Sequence, residues 1–214
     1  MRLKPSMRPY STLLLGLALA VAALAGCTNK ATHTYVLTAD VEKSGPASPQ
    51  GIPIGVGPVS LPKYLDRLQM VTRSGDNSLD QADLDQWGGD LSDNITRVLA
   101  INLANLLKTD RVSLYPWTDR APMDYQVTVQ VANFEQQPDG TVELDAFWSL
   151  LNPSDGKVLV MRRSSYRETG APIAASSSGD AATRTYDAVA AAMSRDLAAL
   201  SRDIANEITQ RKGK

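Results

Sequence analysis

The sequence predicts an α+β fold: an antiparallel sheet, including a C-terminal three-stranded meander, with two main helices packed on one face. Three observations carry that prediction. Residues 125–150 hold two period-two runs joined by a Pro-Asp-Gly turn. Residues 91–107 carry apolar side chains at three- and four-residue spacing, and residues 186–208 repeat that spacing over roughly six turns. The 214 residues suffice for one domain with a real core, and 43% hydrophobic with 21% charged content is ordinary for a globular protein.

Residues 35–39 read as the first strand, and residues 42–51, rich in Gly, Pro and Ser, as a loop. Residues 52–59 resume extended structure, with Pro53 and Pro58 marking strand ends or an edge. Another strand covers 69–73, ahead of the turn 74–77. The first long helix starts near Asp90 to Asp93 and runs to about Lys108. Leu91, Ile95, Val98, Leu99, Leu103, Leu106 and Leu107 share one face, while early aspartates and a late lysine complement the helix dipole. A short strand at 111–115 stops at Pro116.

The clearest strand signal follows. Tyr125, Val127, Val129 and Val131 alternate with Gln126, Thr128 and Gln130, the pattern of a half-buried strand. In the turn 137–140, Pro138 presets its backbone angle and Gly140 accepts a positive one. Val142, Leu144, Ala146, Trp148 and Leu150 line one face of the next strand, and the turn 152–156 leads into a third, 158–167. After a Gly/Ala/Ser loop at 170–180, Tyr186, Val189, Met193, Leu197, Leu200, Ile204 and Ile208 form an apolar helical stripe. Packing on the sheet accounts for it; a stripe shared with a neighbouring subunit is the alternative.

The N-terminus reads as a secretion signal. Arg2, Lys4 and Arg8 form a positive head, and the uncharged run 13–24 is too short for a spanning helix. The run ends Leu24-Ala25-Gly26-Cys27, which resembles the bacterial lipobox. By that resemblance residues 1–26 are a lipoprotein signal peptide and Cys27 carries an N-acyl diacylglycerol. Two or three chains on one cysteine hold a protein to a bilayer where one chain holds only marginally. Cys27 is the sole cysteine, so an intramolecular disulfide is excluded. Thr28 stands where an Asp would favour inner-membrane retention in enteric-type bacteria, so the periplasmic face of the outer membrane is expected. Residues 27–34 are a polar membrane-proximal tether, and residues 35–212 the single folded domain.

Charge and spacing exclude several functions. Residues 1–26 hold three of the 22 basic residues and none of the 23 acidic ones, so the remainder has a net charge of −4 and no basic stripe for nucleic acid. The single histidine, His33, lies in the tether, where no scaffold holds it beside a nucleophile. Residues 55–60, Gly-Val-Gly-Pro-Val-Ser, lack the Lys-Ser/Thr ending of a phosphate loop. The run 83–88 opens like a calcium loop but places Trp87 and Asn94 at ligand positions. No metal, no cofactor and no catalytic residues are expected, because acids, serines and arginines are scattered rather than assembled.

Residues 56–73, Val-Gly-Pro-Val-Ser-Leu-Pro-Lys-Tyr-Leu-Asp-Arg-Leu-Gln-Met-Val-Thr-Arg, resemble the PqiC/YmbA-like family of ABC-type transport auxiliary lipoproteins. The matching positions are Pro58, Leu61, Leu65, Asp66, Arg67, Gln69, Val71 and Arg73. Trp87, the helix run 97–107, Tyr115-Pro116-Trp117, and Leu144, Ala146 and Trp148 follow in the family's order. Leu68 departs from the proline that often follows the Asp-Arg pair, and Gly88-Gly89-Asp90-Leu91 replaces an acidic-Pro-Leu helix entry.

The resemblance implies a non-catalytic outer-membrane subunit of an MCE-type lipid transport system. Its partners would be an MCE-domain periplasmic protein and that protein's inner-membrane permease, with ring-like homo-oligomers also implied. A structural or assembly lipoprotein of another envelope complex is the alternative. Tyr64, Asp66, Arg67, Trp87 and Trp117 are the candidates for partner contact. An ion pair or strand-end contact competes for Asp66 and Arg67, and a core role competes for the tryptophans; Trp148 is core.

Overall fold

The computed structural model describes residues 31–42, 45–118, 121–171 and 180–212. The described elements run β1 (His33–Tyr35), β2 (Ile54–Ser60), β3 (Gln69–Gly75), β4 (Ser78–Trp87), α1 (Leu91–Leu107), β5 (Val112–Leu114), β6 (Tyr125–Gln136), β7 (Thr141–Leu151), β8 (Val158–Thr169) and α2 (Asp180–Lys212). The class is α+β, as the periodicities require. None of the described helices is long and apolar enough to cross a membrane.

β6 is the trunk of the sheet. On one side it pairs antiparallel with β7, and β7 with β8, giving the expected meander. Its other side divides. The first half pairs with β2, from Ile54↔Tyr125 to Ser60↔Gln130, and the final residue Gln136 pairs with Thr72 of β3. β5 extends the β2 branch; β4 and then β1 extend the β3 branch. Pairing in this half is largely parallel: β1–β4, β2–β5, β2–β6 and β3–β6 are each parallel pairs. The expectation of an antiparallel sheet therefore holds for β3–β4 and the meander only. Parallel neighbours need a crossover, and α1 lies on the connection between β2 and β5.

Two strands differ from the sequence expectation. β4 had no strand signal because its pairing is irregular: between Gln69↔Gln86 and Val71↔Gln81, β4 advances five residues while β3 advances two. That bulge breaks the alternation by which a strand is read. β1 begins at His33, inside the expected tether, and ends at Tyr35. Beyond it the chain leaves the sheet and is fixed by other means. Leu37 is fully buried, its carbonyl accepts from Arg97 Nη2 of α1 (2.6 Å), and the Thr38 N–H donates to Ser194 Oγ of α2 (3.1 Å).

Both helices cover one face, as expected. α1 buries Leu91, Ile95, Val98, Leu99 and Leu103 and packs on β2, β5 and α2. Lys108 stands just past α1 in the left-handed conformation (φ 52°) rather than in its last turn. A side chain at Gly51 would lie 2.5 Å from Thr109 Oγ1, so only glycine fits there. On α2, Tyr186, Val189, Met193, Leu197, Leu200, Ile204 and Ile208 are all buried. The stripe is therefore covered within the chain. Trp148, 1% exposed, is core, with its Nε1–H donating to Ser164 Oγ (3.1 Å).

The same face of α2 buries a charge. Asp196 is fully buried, and neither carboxylate oxygen has a hydrogen-bond partner in the protein. Burial, then the negative charge of Glu168 on β8, with a smaller push from Glu143 on β7, raises it to about 7; Arg195 opposes them. The unfolded chain releases this proton near the ordinary 3.8. Between those values the folded state holds a proton that the unfolded state has lost, so this contribution to stability falls as pH rises. It amounts to up to about 4 kcal/mol by pH 8. Asp196→Asn should therefore stabilise the fold at pH 8, by ~2 kcal/mol or more, with a gain that shrinks towards pH 4. Urea unfolding at both pH values measures this; an equal effect at each would show that Asp196 does not titrate in that window.

Candidate partner-binding surface

Between β2 and β3 the chain folds into a tight loop, residues 61–68. The Leu65 N–H donates to the Pro62 carbonyl (2.9 Å), the Arg67 N–H to the Leu65 carbonyl (2.9 Å), and the Trp87 N–H to the Leu68 carbonyl (2.7 Å). Leu65 plugs the loop into the core. With Leu65 inward, Lys63, Asp66 and Leu68 are exposed, and Tyr64 and Arg67 lie half-buried.

Tyr64 reaches a buried polar network. Glu135, near the end of β6, has a fully buried side chain. Its Oε1 accepts from Arg73 Nη2 (2.6 Å) and Nε (3.1 Å) of β3. Its Oε2 accepts from the Tyr64 hydroxyl (3.0 Å) and the Phe134 N–H (2.9 Å). Four donors satisfy the carboxylate, the condition under which a buried charge is tolerated. Burial first, then the charge of Glu135, pushes the Tyr64 phenol up, and the hydrogen bond to Glu135 raises Arg73. Tyr64 thus stays protonated and donating, and Arg73 stays charged.

The other candidates occupy different surroundings. Asp66 pairs with Lys63 across 3.3 Å, both exposed, a contact worth little in water. The ion pair weighed for Asp66 and Arg67 is not formed, and Arg67 Nε is buried without a partner. Trp87 is 5% exposed: its backbone joins the loop, but its indole lies in the core. Trp117 is half-buried on the β2–β5 branch, edge-on to Tyr115 (centroids 5.6 Å apart). Its Cη2 would meet a side chain at Gly55 at 2.8 Å, so the indole rests directly on the β2 backbone. The structure brings Tyr64, Asp66 and Arg67 together with the Trp87 backbone; Trp117 stands apart, beside exposed Tyr115 and Leu114.

Glu135 was not anticipated. Period two from Val127 through Val131 would put Asn133 and Glu135 inward; a register shift between Val131 and Asn133 turns Phe134 inward instead. The sequence clue is Phe134 itself, an aromatic residue out of phase with the valines. A second cluster lies on the β7–β8 pair. Arg163 forks onto Asp145, which also accepts from Ser165 Oγ (3.1 Å), and lies over the exposed Phe147 ring at 5.7 Å. The Arg163 hydrogen bond holds the Asp145 carboxyl below its usual range. Among the described residues no group of three or more His, Cys, Asp or Glu side chains could hold a metal ion.

Arg73→Ala would strand a buried carboxylate and should cost about 3–5 kcal/mol in chemical unfolding. Tyr64→Phe, which removes one donor to it, should cost about 1–3 kcal/mol. Replacing the pair together, Arg73→Met with Glu135→Leu, should restore most of the loss. If Arg73→Ala stayed within about 1 kcal/mol of the parent, Glu135 would not be the sequestered charge described here.

The family of ABC-type transport auxiliary lipoprotein components matches residues 35–205. No curated protein matches the sequence. Among solved structures, an uncharacterized protein is similar at TM-score 0.62 and 20% identity, covering 84% of this chain and 99% of its own. A Xanthomonas campestris protein of the DUF330 family is similar at TM-score 0.63 and 17% identity, covering 86% of this chain and 98% of its own. At such identities these structures establish the shared fold; the matched span, from β1 through most of α2, establishes the family. The chain belongs to the family of auxiliary lipoprotein components of ABC-type transport systems.

Proposed function

We propose that this protein is a non-catalytic lipoprotein of the outer membrane, facing the periplasm, that docks the periplasm-spanning MCE-domain component of an ABC-type lipid transport system. The observation that carries this is the succession along the chain. A lipobox ending at Cys27 is followed directly by an auxiliary-lipoprotein domain whose match begins at Tyr35. Cys27 and residues 1–26 lie outside the described residues. Residues 1–26 are the signal peptide to be removed, and 35–212 belong to the folded domain. Because β1 starts at His33, the tether contracts to residues 28–32, and the span from Cys27 to His33 is at most about 20 Å.

The docking surface is proposed to include Asp66 and Arg67 of the 61–68 loop and, on the other branch, Trp117 with Tyr115. Tyr64 holds the loop in place through Glu135, and Trp87 supports it from the core. Ring formation by several copies belongs to the same proposal; the open edges of β5 and β8 offer main-chain groups that a neighbouring copy could extend.

Cys27→Ser should leave the domain folded but move it from the membrane fraction to the soluble periplasm. Affinity purification of the lipidated protein in mild detergent should recover an MCE-domain protein and its permease. Asp66→Ala combined with Arg67→Ala should lower that recovery severalfold without changing the urea midpoint. Retention of Cys27→Ser in membranes, or repeated recovery of a different envelope machine, would overturn the assignment.

A further inference from the structure

Two exposed apolar side chains flank the end of β4 beside the point where the chain enters the fold. Val36, directly after β1, is 51% exposed, and Leu68, directly before β3, is 47% exposed. Their positions are fixed through β4: the Trp87 N–H donates to the Leu68 carbonyl (2.7 Å), and the Gly88 N–H to the Tyr35 carbonyl (2.7 Å). β4 thus stands between them, so they are about two strand spacings, or ~10 Å, apart. Packing within the chain leaves about half of each exposed.

We infer that Val36 and Leu68 are a bilayer contact, the edge of the domain that rests in the headgroup region of the membrane holding Cys27. The inference rests on the anchored function proposed above. Two observations select this end of the sheet. The first is reach. The tether allows about 20 Å from Cys27 to His33, and Val36 is only three residues, ~10 Å, beyond His33. The second is rigidity. Leu37 is buried, its carbonyl accepts from Arg97 of α1 and the next N–H, of Thr38, donates to Ser194 of α2, so Val36 is presented from a fixed backbone.

Acyl chains supply the affinity here, and the two side chains supply orientation. An anchored protein already sits at high local concentration over the surface, so even small apolar insertions bias which side faces the lipid. In the sheet order β8 lies five strands from β1 and three from β3, which makes it a comparison edge.

The chain is suited to a direct test, because its one cysteine would be consumed by acylation. Val36→Cys, Leu68→Cys, Leu114→Cys and Met161→Cys each give the full-length, lipidated protein a single free thiol for an environment-sensitive dye. Met161 is 70% exposed on β8 and Leu114 is exposed on β5, so both serve as comparison sites. The proteins are reconstituted into vesicles of phosphatidylethanolamine and phosphatidylglycerol containing a shallow spin-labelled phosphatidylcholine. Dyes at positions 36 and 68 should shift to the blue and be quenched roughly threefold more than dyes at 114 and 161. Equal quenching at all four sites, or stronger quenching at 114 or 161, overturns the contact while leaving the anchor intact. Failure of every variant to float with vesicles overturns the anchor and the contact together.

Discussion

At its distal end β6 passes from one sheet branch to the other, and Glu135 is the charge that fixes this crossing. The bulge at Ala132 and Asn133 reverses the strand's faces, so Phe134 enters the core and Glu135 is turned away from it. On that side β3 supplies Arg73, the 61–68 loop supplies Tyr64, and the carboxylate is closed off from water. One ion therefore joins three segments that the hydrophobic core alone would not hold in register. A buried ion pair is a weak source of stability compared with an apolar cluster of equal volume, but it is sensitive to geometry. Its value here is positional: it places the outward residues of the loop, Lys63, Asp66 and Leu68, at a set distance from the sheet.

A contrasting buried carboxylate lies under the other half of the sheet. Asp196 has burial without donors, and facing Glu168 and Glu143 push it further towards the neutral form. Glu135 is satisfied by four donors, two of them from a guanidinium. Burial raises the cost of both charges, and hydrogen bonding decides which of them is well accommodated. Asp145 and Glu207, each paired with arginines near the surface, shift in the other direction and stabilise the fold above the carboxylate range. Acid and neutral pH thus act on different parts of this protein with opposite sign.

How much of this was legible follows from what each pattern encodes. Periodicity located α1, α2 and the β6–β7–β8 meander, because their buried faces are regular and their turns carry Pro, Gly and Asn. It did not locate β4, whose bulge disrupts alternation and whose inward positions include Asp85, bonded to the Tyr35 hydroxyl (2.7 Å). Nor could it give pairing direction: a strand's own sequence reports which of its faces is buried, while its neighbour is chosen by the connections. Of the surface candidates, Asp66 is exposed and Trp87 is buried, the core role that competes for the tryptophans on residue type alone. The sequence marks Tyr64 only as a candidate for partner contact; its hydrogen bond to Glu135 is hidden by the same kind of irregularity that hides β4.

The path from a membrane anchor into this fold explains why so short a first strand suffices. β1 pairs over three residues on an edge, which by itself would fray under a lateral pull. The next residues carry the attachment inward. Leu37 is sealed in the core, Arg97 of α1 grips its carbonyl, and Ser194 of α2 accepts the N–H of Thr38. A displacement applied at His33 is therefore resisted by both helices, whose shared interface includes the Asn102–Ser201 hydrogen bond (3.3 Å). In the anchored arrangement proposed here, lipid and partner would pull on one rigid body. The 61–68 loop would stay in place relative to the bilayer because the Trp87 N–H binds the loop's last carbonyl and the Gly88 N–H binds Tyr35 of β1. Adjacent amides of one strand end thus connect the proposed docking loop to the point of attachment.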